Sequence, residues 1–352
     1  MMRLMPGLCP ALTEEVMTKL KSAGIKTIID FMLKDSETLA RETSVSYKDL
    51  QSIRRIIHAH HAAFAVSGTD VLDEAVRSSV VISTGVTSLN SLLGGGLMTG
   101  EVVEVCGGWG KGKTSLCLQL ALHAALRQGL HTLFIDPSGS VSPSKLAPFI
   151  EAFSEEEEVM EKALSRIKIT SPADIWSLFR ALEKTYHPCI TLDGSAGSSS
   201  SNSQGAGKLK LVIVDSLPIL VMPLLDGTRK EGLGILNQLA MTLKTLASEQ
   251  QIAVVVVNNV VQMQNGSSVH KSDSHPKWKP ALGRYWEHMP HTRLFVEQAE
   301  LPDHNRSLNL SLSEPCENQS SPSLSLSLKV SVWKSTRLKM DSSVVSLFAK
   351  ER

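Results

Sequence analysis

The chain has 352 residues, and its 36 Lys and Arg against 35 Asp and Glu give a net charge of +1, which excludes a uniformly basic coat for nucleic acid. Hydrophobic residues make up 42% and charged residues 20%, which excludes global disorder, and the length predicts about two domains. No apolar run approaches the length of a membrane helix, and five scattered cysteines without a CxxC pair argue against a disulfide framework or zinc ribbon. We therefore expect a soluble intracellular protein.

Residues 1–62 predict a small all-helical domain. Helices are expected at 14–22, near 27–34 and at 36–42, and a fourth that begins at Ser46 carries apolar residues at helical spacing. Short helices joined by tight turns indicate a helix-hairpin-helix-like module. Such modules either point backbone amides at DNA phosphates or serve as protein docking domains, and the sequence leaves both roles open.

A segment without clear periodicity at 63–79 predicts a linker, and a second pattern occupies 80–352. Apolar strands are expected at 101–106, 130–135, 209–214 and 252–257, and helices at 114–128, 172–184 and 232–249. This alternation predicts an α/β domain with a mainly parallel sheet covered on both faces. A Gly/Ser tract at 193–207 and a Ser, Asn and Pro-rich segment at 301–325 predict flexible loops, and the second could also form an irregular hairpin.

The most specific motif is GxxxxGK(S/T) at residues 107–114, placed between a predicted strand and a predicted helix. In this motif, glycines allow backbone amides to surround phosphates, and the helix N-terminus favours negative charge. Lys113 is expected to reach the β and γ phosphates, and Thr114 to ligate Mg²⁺. The predicted nucleotide-binding residues are Gly107, Gly108, Trp109, Gly110, Lys111, Gly112, Lys113, Thr114 and Ser115.

A second element of the same site is predicted at Asp215, which follows four apolar residues. This pattern is typical of a buried strand with a carboxylate at its carboxyl end. Together with the phosphate-binding loop, it predicts that Asp215 and Thr114 organise Mg²⁺.

Several further motifs resemble those of the RecA-like recombinase ATPases. Residues 84–97 match the family's opening motif with Asn90 for the usual Asp, and residues 256–259 resemble the strand before the second DNA-binding loop. Residues 279–284 resemble the far end of that loop. The chain is similar over nearly its whole length to the eukaryotic strand-exchange recombinase paralogues, and residues 7–15 look most like the branch designated D.

The resemblance implies a RecA-like P-loop ATPase core that binds ATP and Mg²⁺, with Lys113 and Asp215 in catalytic roles. It further implies homologous-recombination repair of DNA breaks and crosslinks in the nucleus, within a heteromeric complex of recombinase paralogues that assists the main recombinase. Single-stranded DNA would contact loops near 225–231 and 260–284. Their basic residues and an interleaved Trp278 suit such binding, although a solvated loop is the alternative. The candidate DNA-binding residues are Arg229, Lys230, Lys271, Lys277, Lys279 and Arg284.

Three departures from the family pattern bear on hydrolysis. Ser138 stands where the family has the water-activating Glu, and Asn259 replaces the γ-phosphate-sensing Gln. Trp109 and Lys111 make the phosphate-binding loop bulkier and more positive. We therefore expect nucleotide binding with weak hydrolysis.

Other functions stay open on the sequence. A nucleotide-gated scaffold with little DNA binding is the main alternative. A nucleoside kinase would need an Arg-bearing lid that the sequence does not clearly show. A hexameric helicase is possible by fold, but the N-terminal module favours the recombinase family. The histidines at 58, 60 and 61 fit a charged helix end better than a metal site. Residues 64–66 either insert into a neighbouring subunit or form an ordinary buried linker.

Overall fold

The computed structural model describes residues 4, 9–61, 65–142, 144–146, 149–150, 157–185, 209–225, 231–262, 278–299 and 326–347. The chain divides into two compact units, an N-terminal unit at Met1–Ala75 and a core unit at Val76–Arg352. The predicted loops at 193–207 and 301–325, and the linker residue Phe64, lie outside the described residues.

The N-terminal unit is helical, as predicted. Its helices are α1 (Glu14–Ser22), α2 (Ile28–Leu33), α3 (Ser36–Thr43), α4 (Tyr47–His61) and α5 (Gly68–Ser78), which continues into the core unit. Helix α2 begins with a capping box, because the Thr27 side chain accepts from the Asp30 amide and the Asp30 carboxylate accepts from the Thr27 amide. The apolar faces of the first four helices share one buried cluster that includes Leu20, Phe31 and Leu50.

Helix α5 occupies the segment for which the sequence predicts a linker without periodicity. Its apolar residues Val71, Leu72 and Val76 lie on one side of the helix, yet they are between 55% and 72% exposed. The segment therefore has helical structure that its sequence pattern does not predict.

The core unit is built on a mainly parallel sheet. Within the described residues its strands are β3 (Val102–Gly107), β4 (His131–Ile135), β5 (Ile167–Thr170), β6 (Leu209–Val214), β7 (Ala253–Gln262), β8 (Trp278–Pro280), β9 (Thr292–Gln298), β10 (Leu326–Ser335) and β11 (Ser342–Leu347). The order is β11-β10-β9-β3-β7-β6-β4-β5, with β8 paired to the end of β7. The pairs from β9 to β5 are parallel, and β10 and β11 add an antiparallel edge. A separate two-stranded antiparallel sheet, β1 (Val81–Ile82) with β2 (Leu97–Met98), precedes this sheet in the chain.

Helices cover both faces of the sheet. They are α6 (Thr87–Leu92), α7 (Lys113–Arg127), α8 (Glu157–Leu164), α9 (Ile175–Thr185), α10 (Pro218–Leu225), α11 (Glu231–Gln250) and α12 (Arg284–Glu287). Alternate residues of β7 enter two separate clusters: Val255 packs on the α7 side and Val256 on the α11 side. This layering confirms the predicted α/β class with both sheet faces covered.

The predicted strands and helices are present, with boundaries shifted by a few residues. Strand β7 extends to Gln262, five residues beyond its predicted end. The strands β1, β2, β5, β8, β10 and β11 are not predicted from the sequence. The Asn90 replacement keeps the acceptor role of the usual Asp, because its Oδ1 accepts from the Thr84 amide and hydroxyl at 2.8 Å each. In the part of the chain that the structure describes, no helix is both long and apolar enough to cross a bilayer.

Candidate nucleotide-binding site

The phosphate-binding loop connects the carboxyl end of β3 to the first turn of α7. Two of its positions favour glycine. A Cβ on Gly107 would lie 2.5 Å from the Val296 carbonyl oxygen, and one on Gly112 would lie 2.7 Å from Leu328 Cδ2. Gly112 also has a φ of 83°, in the left-handed region that favours glycine. The loop is therefore fitted against β9 and β10.

Lys113 is the first residue of α7 and is 8% exposed. Its Nζ donates to the carbonyl oxygens of Gly107 at 2.9 Å and Gly108 at 2.7 Å, so the ammonium group lies against the phosphate-binding loop. Burial lowers the pKa of Lys113, and the nearby Asp215 carboxylate opposes that shift. A cation is thus positioned where phosphates are expected.

Asp215 directly follows β6, and its backbone amide donates to the Ile135 carbonyl oxygen at 2.9 Å. Burial raises the pKa of this carboxyl, the Thr114 hydroxyl hydrogen-bonded to it acts in the opposite direction, and the neighbouring Asp136 raises it further. Its Oδ2 is buried and has no hydrogen-bond partner among the described residues. A carboxylate oxygen without a partner, beside a threonine hydroxyl at a phosphate-binding loop, is a donor set that fits Mg²⁺.

Asp136 follows the carboxyl end of β4 and is a site residue that is not among those predicted from the sequence. Its carboxylate accepts from the amides of Ser138 and Val141 at 3.1 Å and 2.7 Å, and from the Ser138 hydroxyl at 2.6 Å. Burial raises its pKa, but these hydrogen bonds outweigh burial and leave the pKa below its usual value. The signal that finds Asp215, an Asp after a buried strand, also marks Asp136.

The sheet register places Asn259, which replaces the family's γ-phosphate-sensing Gln, next to the phosphate-binding loop. Asn259 of β7 pairs with Gly107 of β3 and is 8% exposed. Lys111 is exposed and Trp109 is 76% exposed, so their side chains lie at the surface of the loop. The structure thus gathers Lys113, Thr114, Asp215 and Asn259 at the carboxyl edge of the parallel strands.

The candidate DNA-binding residues are only partly described. Lys279 in β8 and Arg284 at the start of α12 are exposed, and Trp278 is 39% exposed. Arg229, Lys230, Lys271 and Lys277 lie outside the described residues. His58 and His60 are exposed, and the described part of the chain holds no group of three His, Cys, Asp or Glu suited to a metal ion.

Three relatives place the chain among recombination proteins. It is 37% identical to DNA repair protein RAD51 homolog 4 of Bos taurus over 84% of this chain and 86% of that protein. It is 38% identical to the Mus musculus protein of the same name over 84% and 85%. DNA repair and recombination protein RadA of Metallosphaera sedula is 28% identical over 70% of this chain and 73% of its own length.

Two family models match the chain. The model described as RAD51D, N-terminal domain, matches residues 1–59, and the model described as Rad51 matches residues 76–185 and 195–317. These matches confirm the resemblance inferred from the motifs. The chain belongs to the Rad51 family, as a recombination-repair paralogue with a RAD51D-type N-terminal domain.

Proposed function

We propose that the chain binds ATP with Mg²⁺ at residues 107–115 and serves as a nucleotide-dependent subunit of a heteromeric paralogue complex. In this role it acts in the nucleus on single-stranded DNA during homologous-recombination repair. The observation that carries the proposal is the placement of Lys113, Thr114 and Asp215 beside one glycine-lined loop. The names of the relatives, DNA repair protein RAD51 homolog 4, support the repair role.

Different residues are proposed to bind the phosphates and the metal ion. Lys113, which donates to the Gly107 and Gly108 carbonyl oxygens, would bind the β and γ phosphates of a nucleotide, and the amides of the loop and of the first turn of α7 would donate to the same phosphates. Thr114 and Asp215 would hold Mg²⁺, because the buried Asp215 Oδ2 has no hydrogen-bond partner among the described residues. A bound Mg²⁺ supplies positive charge that offsets the charge of the phosphates.

Hydrolysis is proposed to be slow. The Ser138 hydroxyl donates a hydrogen bond to the Asp136 carboxylate, and a serine hydroxyl is a poor general base near neutral pH. Lys113 and Asp215 still stabilise the bound nucleotide, because neither depends on that base. Binding and turnover are therefore separable in this chain.

Replacing Lys113 tests the nucleotide-binding proposal. Lys113→Ala removes the buried ammonium, and the loss of charge-assisted hydrogen bonds worth about 1.5–3 kcal/mol should weaken affinity for a fluorescent ATP analogue about tenfold or more. The matched control is Lys162→Ala, an exposed lysine on α8, which should bind as the unaltered chain does. Equal affinity of the Lys113→Ala and Lys162→Ala variants would remove the proposal.

A nucleotide-gated scaffold with little DNA contact is the second candidate. The near-neutral net charge of +1 favours it, whereas the exposed residues Trp278, Lys279 and Arg284 favour DNA binding. Measuring single-stranded DNA binding by the chain over a range of salt concentrations separates the two candidates. Co-purification with tagged paralogues, with and without ATP, tests the proposed complex.

A further inference from the structure

A buried polar network lies in the sheet next to the nucleotide-binding site. Glu104, in the middle of β3, is fully buried, and its Oε1 accepts from Asn258 Nδ2 of β7 at 2.7 Å. Its Oε2 accepts from Arg293 Nε of β9, which is 5% exposed. One carboxylate therefore links three adjacent parallel strands.

Burying an ion pair at this position has a desolvation cost that apolar side chains would avoid. Glu104 shares its face of β3 with the buried residues Val102 and Cys106, so an apolar side chain would suit the same surface. A buried ion pair is often no more stabilising than apolar residues of similar volume. Packing alone therefore does not account for this ion pair. The elements that it connects give the explanation.

On one side the network reaches the phosphate-binding loop. Glu104 lies three residues before Gly107, whose carbonyl oxygen accepts from Lys113. Asn258 directly precedes Asn259, which pairs with Gly107 in the sheet register. The network therefore holds both strands that approach the lysine, β3 and β7.

On the other side it reaches the segment 281–290. The Ala281 amide donates to the Asn259 carbonyl oxygen at 2.9 Å, which attaches the start of the segment to β7. Arg293 Nη2 donates to the Glu287 carbonyl oxygen at 3.2 Å, which attaches the end of α12 to β9. Lys334 Nζ of β10 donates to the carbonyl oxygens of Glu287 and Pro290 at 3.0 Å each. The segment is thus attached to both strands that contact Glu104.

We propose that Glu104 and Arg293 are positioning residues that transmit nucleotide binding at the phosphate-binding loop to the segment 281–290. The inference rests on the proposed ATP binding. Lys113 has two competing sets of acceptors, the loop carbonyl oxygens and the nucleotide phosphates, and its exchange between them is the two-state element. The carboxylate of Glu104 carries the change at the end of β3 to Asn258 and Arg293. Arg293 carries it to Glu287, beside the exposed Arg284.

The test is hydrogen–deuterium exchange of peptides covering 281–290 in the full chain, with and without Mg²⁺ and ATP. In the unaltered chain ATP should slow this exchange about fivefold or more, the lower end of ordinary coupling between sites. Arg293→Lys keeps the charge but cannot donate from a planar fork to Glu104 and Glu287 at once. It should bind ATP within about threefold of the unaltered chain and lose the protection of 281–290.

A second variant guards against misfolding. Glu104→Gln with Arg293→Met removes both buried charges together, so no unpaired charge is left in the core. It should also bind ATP and lose the protection. The control is Glu297→Gln, which removes one partner of the exposed Glu297–Lys329 pair on β9 and β10 and should keep the protection.

The possible failures are distinct. If the unaltered chain does not bind ATP, the proposed function itself is wrong. If ATP binds but leaves exchange at 281–290 unchanged, or if both variants keep the protection, the inference is wrong and the nucleotide-binding proposal stands.

Discussion

Ser138 occupies the position at which a change of one side chain is expected to alter the rate of hydrolysis without altering nucleotide binding. Its hydroxyl and amide both donate to Asp136, so the residue holds the turn after β4 in place. Asp136 in turn lies close enough to Asp215 to raise its pKa. The role of the serine seen in the structure is to satisfy a carboxylate beside the site.

Ser138→Glu should raise single-turnover ATP hydrolysis by about tenfold, below the roughly 10²–10⁴-fold that a well-placed general base supplies. The gain is limited because the introduced carboxylate would face the Asp136 carboxylate and because Asn259 is one methylene shorter than the family's Gln. The control is Ser142→Glu in the same loop, whose hydroxyl bonds to Ser144 and not to Asp136. Fast turnover by the unaltered chain alone would show that another residue supplies the base.

Site residues are easiest to predict from the sequence where a carboxylate directly follows an apolar strand. Asp215 is predicted because it follows an apolar run, and the structure places it beside Thr114. Glu104 is missed although it is a charged residue inside a predicted apolar strand. That interruption is the available signal, since a charge in a fully buried strand requires a partner.

At the scale of elements, the loop between β7 and β8 is where the DNA-binding proposal is tested. Strand β8 directly follows this loop and pairs with the end of β7. It contains the exposed Lys279 and the half-buried Pro280. The antiparallel pairing of Val261 with Lys279 brings the two ends of the loop together. The intervening residues carry Lys271 and Lys277.

Replacing Lys271, Lys277 and Lys279 together by Ala should weaken binding to single-stranded DNA and flatten its dependence on salt. Each lost phosphate contact should reduce the slope of log affinity against log salt by about 0.7. Lys162, Lys184 and Lys339 are exposed and provide a charge-matched control triple. Unchanged affinity and slope in the loop variant would favour the scaffold function.

Among the strands that are not predicted from the sequence, β5 and β10 have identifiable reasons. Strand β5 has four residues, none of them fully buried, so it lacks the apolar run that marks the central strands. Strand β10 continues a Leu/Ser alternation that begins in the segment interpreted as a loop. Period-two alternation is the pattern of a strand with one buried face, and it is the signal for β10.

At the scale of the whole molecule, the N-terminal and core units have separate apolar clusters. Phe31 is fully buried in the N-terminal cluster, with the Arg54 guanidinium 5.7 Å from its ring centroid. We propose that residues 1–62 and 80–352 are separate domains joined by 63–79. A domain of about 60 residues buries a small core, so the N-terminal domain should be the less stable one.

Calorimetry of the full chain should therefore show two thermal transitions. Phe31→Ala leaves a cavity costing about 3–5 kcal/mol, which should abolish or strongly lower the first transition and leave the second in place. Leu33→Ala is the control, because Leu33 lies on the same helix and is 82% exposed. A single transition that shifts as a whole in Phe31→Ala would contradict the two-domain proposal.

By itself the sequence determined the α/β class, the helical N-terminal unit, the phosphate-binding loop and Asp215. Each of these is encoded by residues close together in the chain, through hydrophobic periodicity or a short motif. Only the tertiary structure decided which distant residues meet. Glu104 and Arg293 are separated by 189 positions, and their contact depends on β9 lying beside β3 in one particular register. Local patterns predict that a strand forms but not its neighbours, because pairing is selected by the packing of the whole sheet.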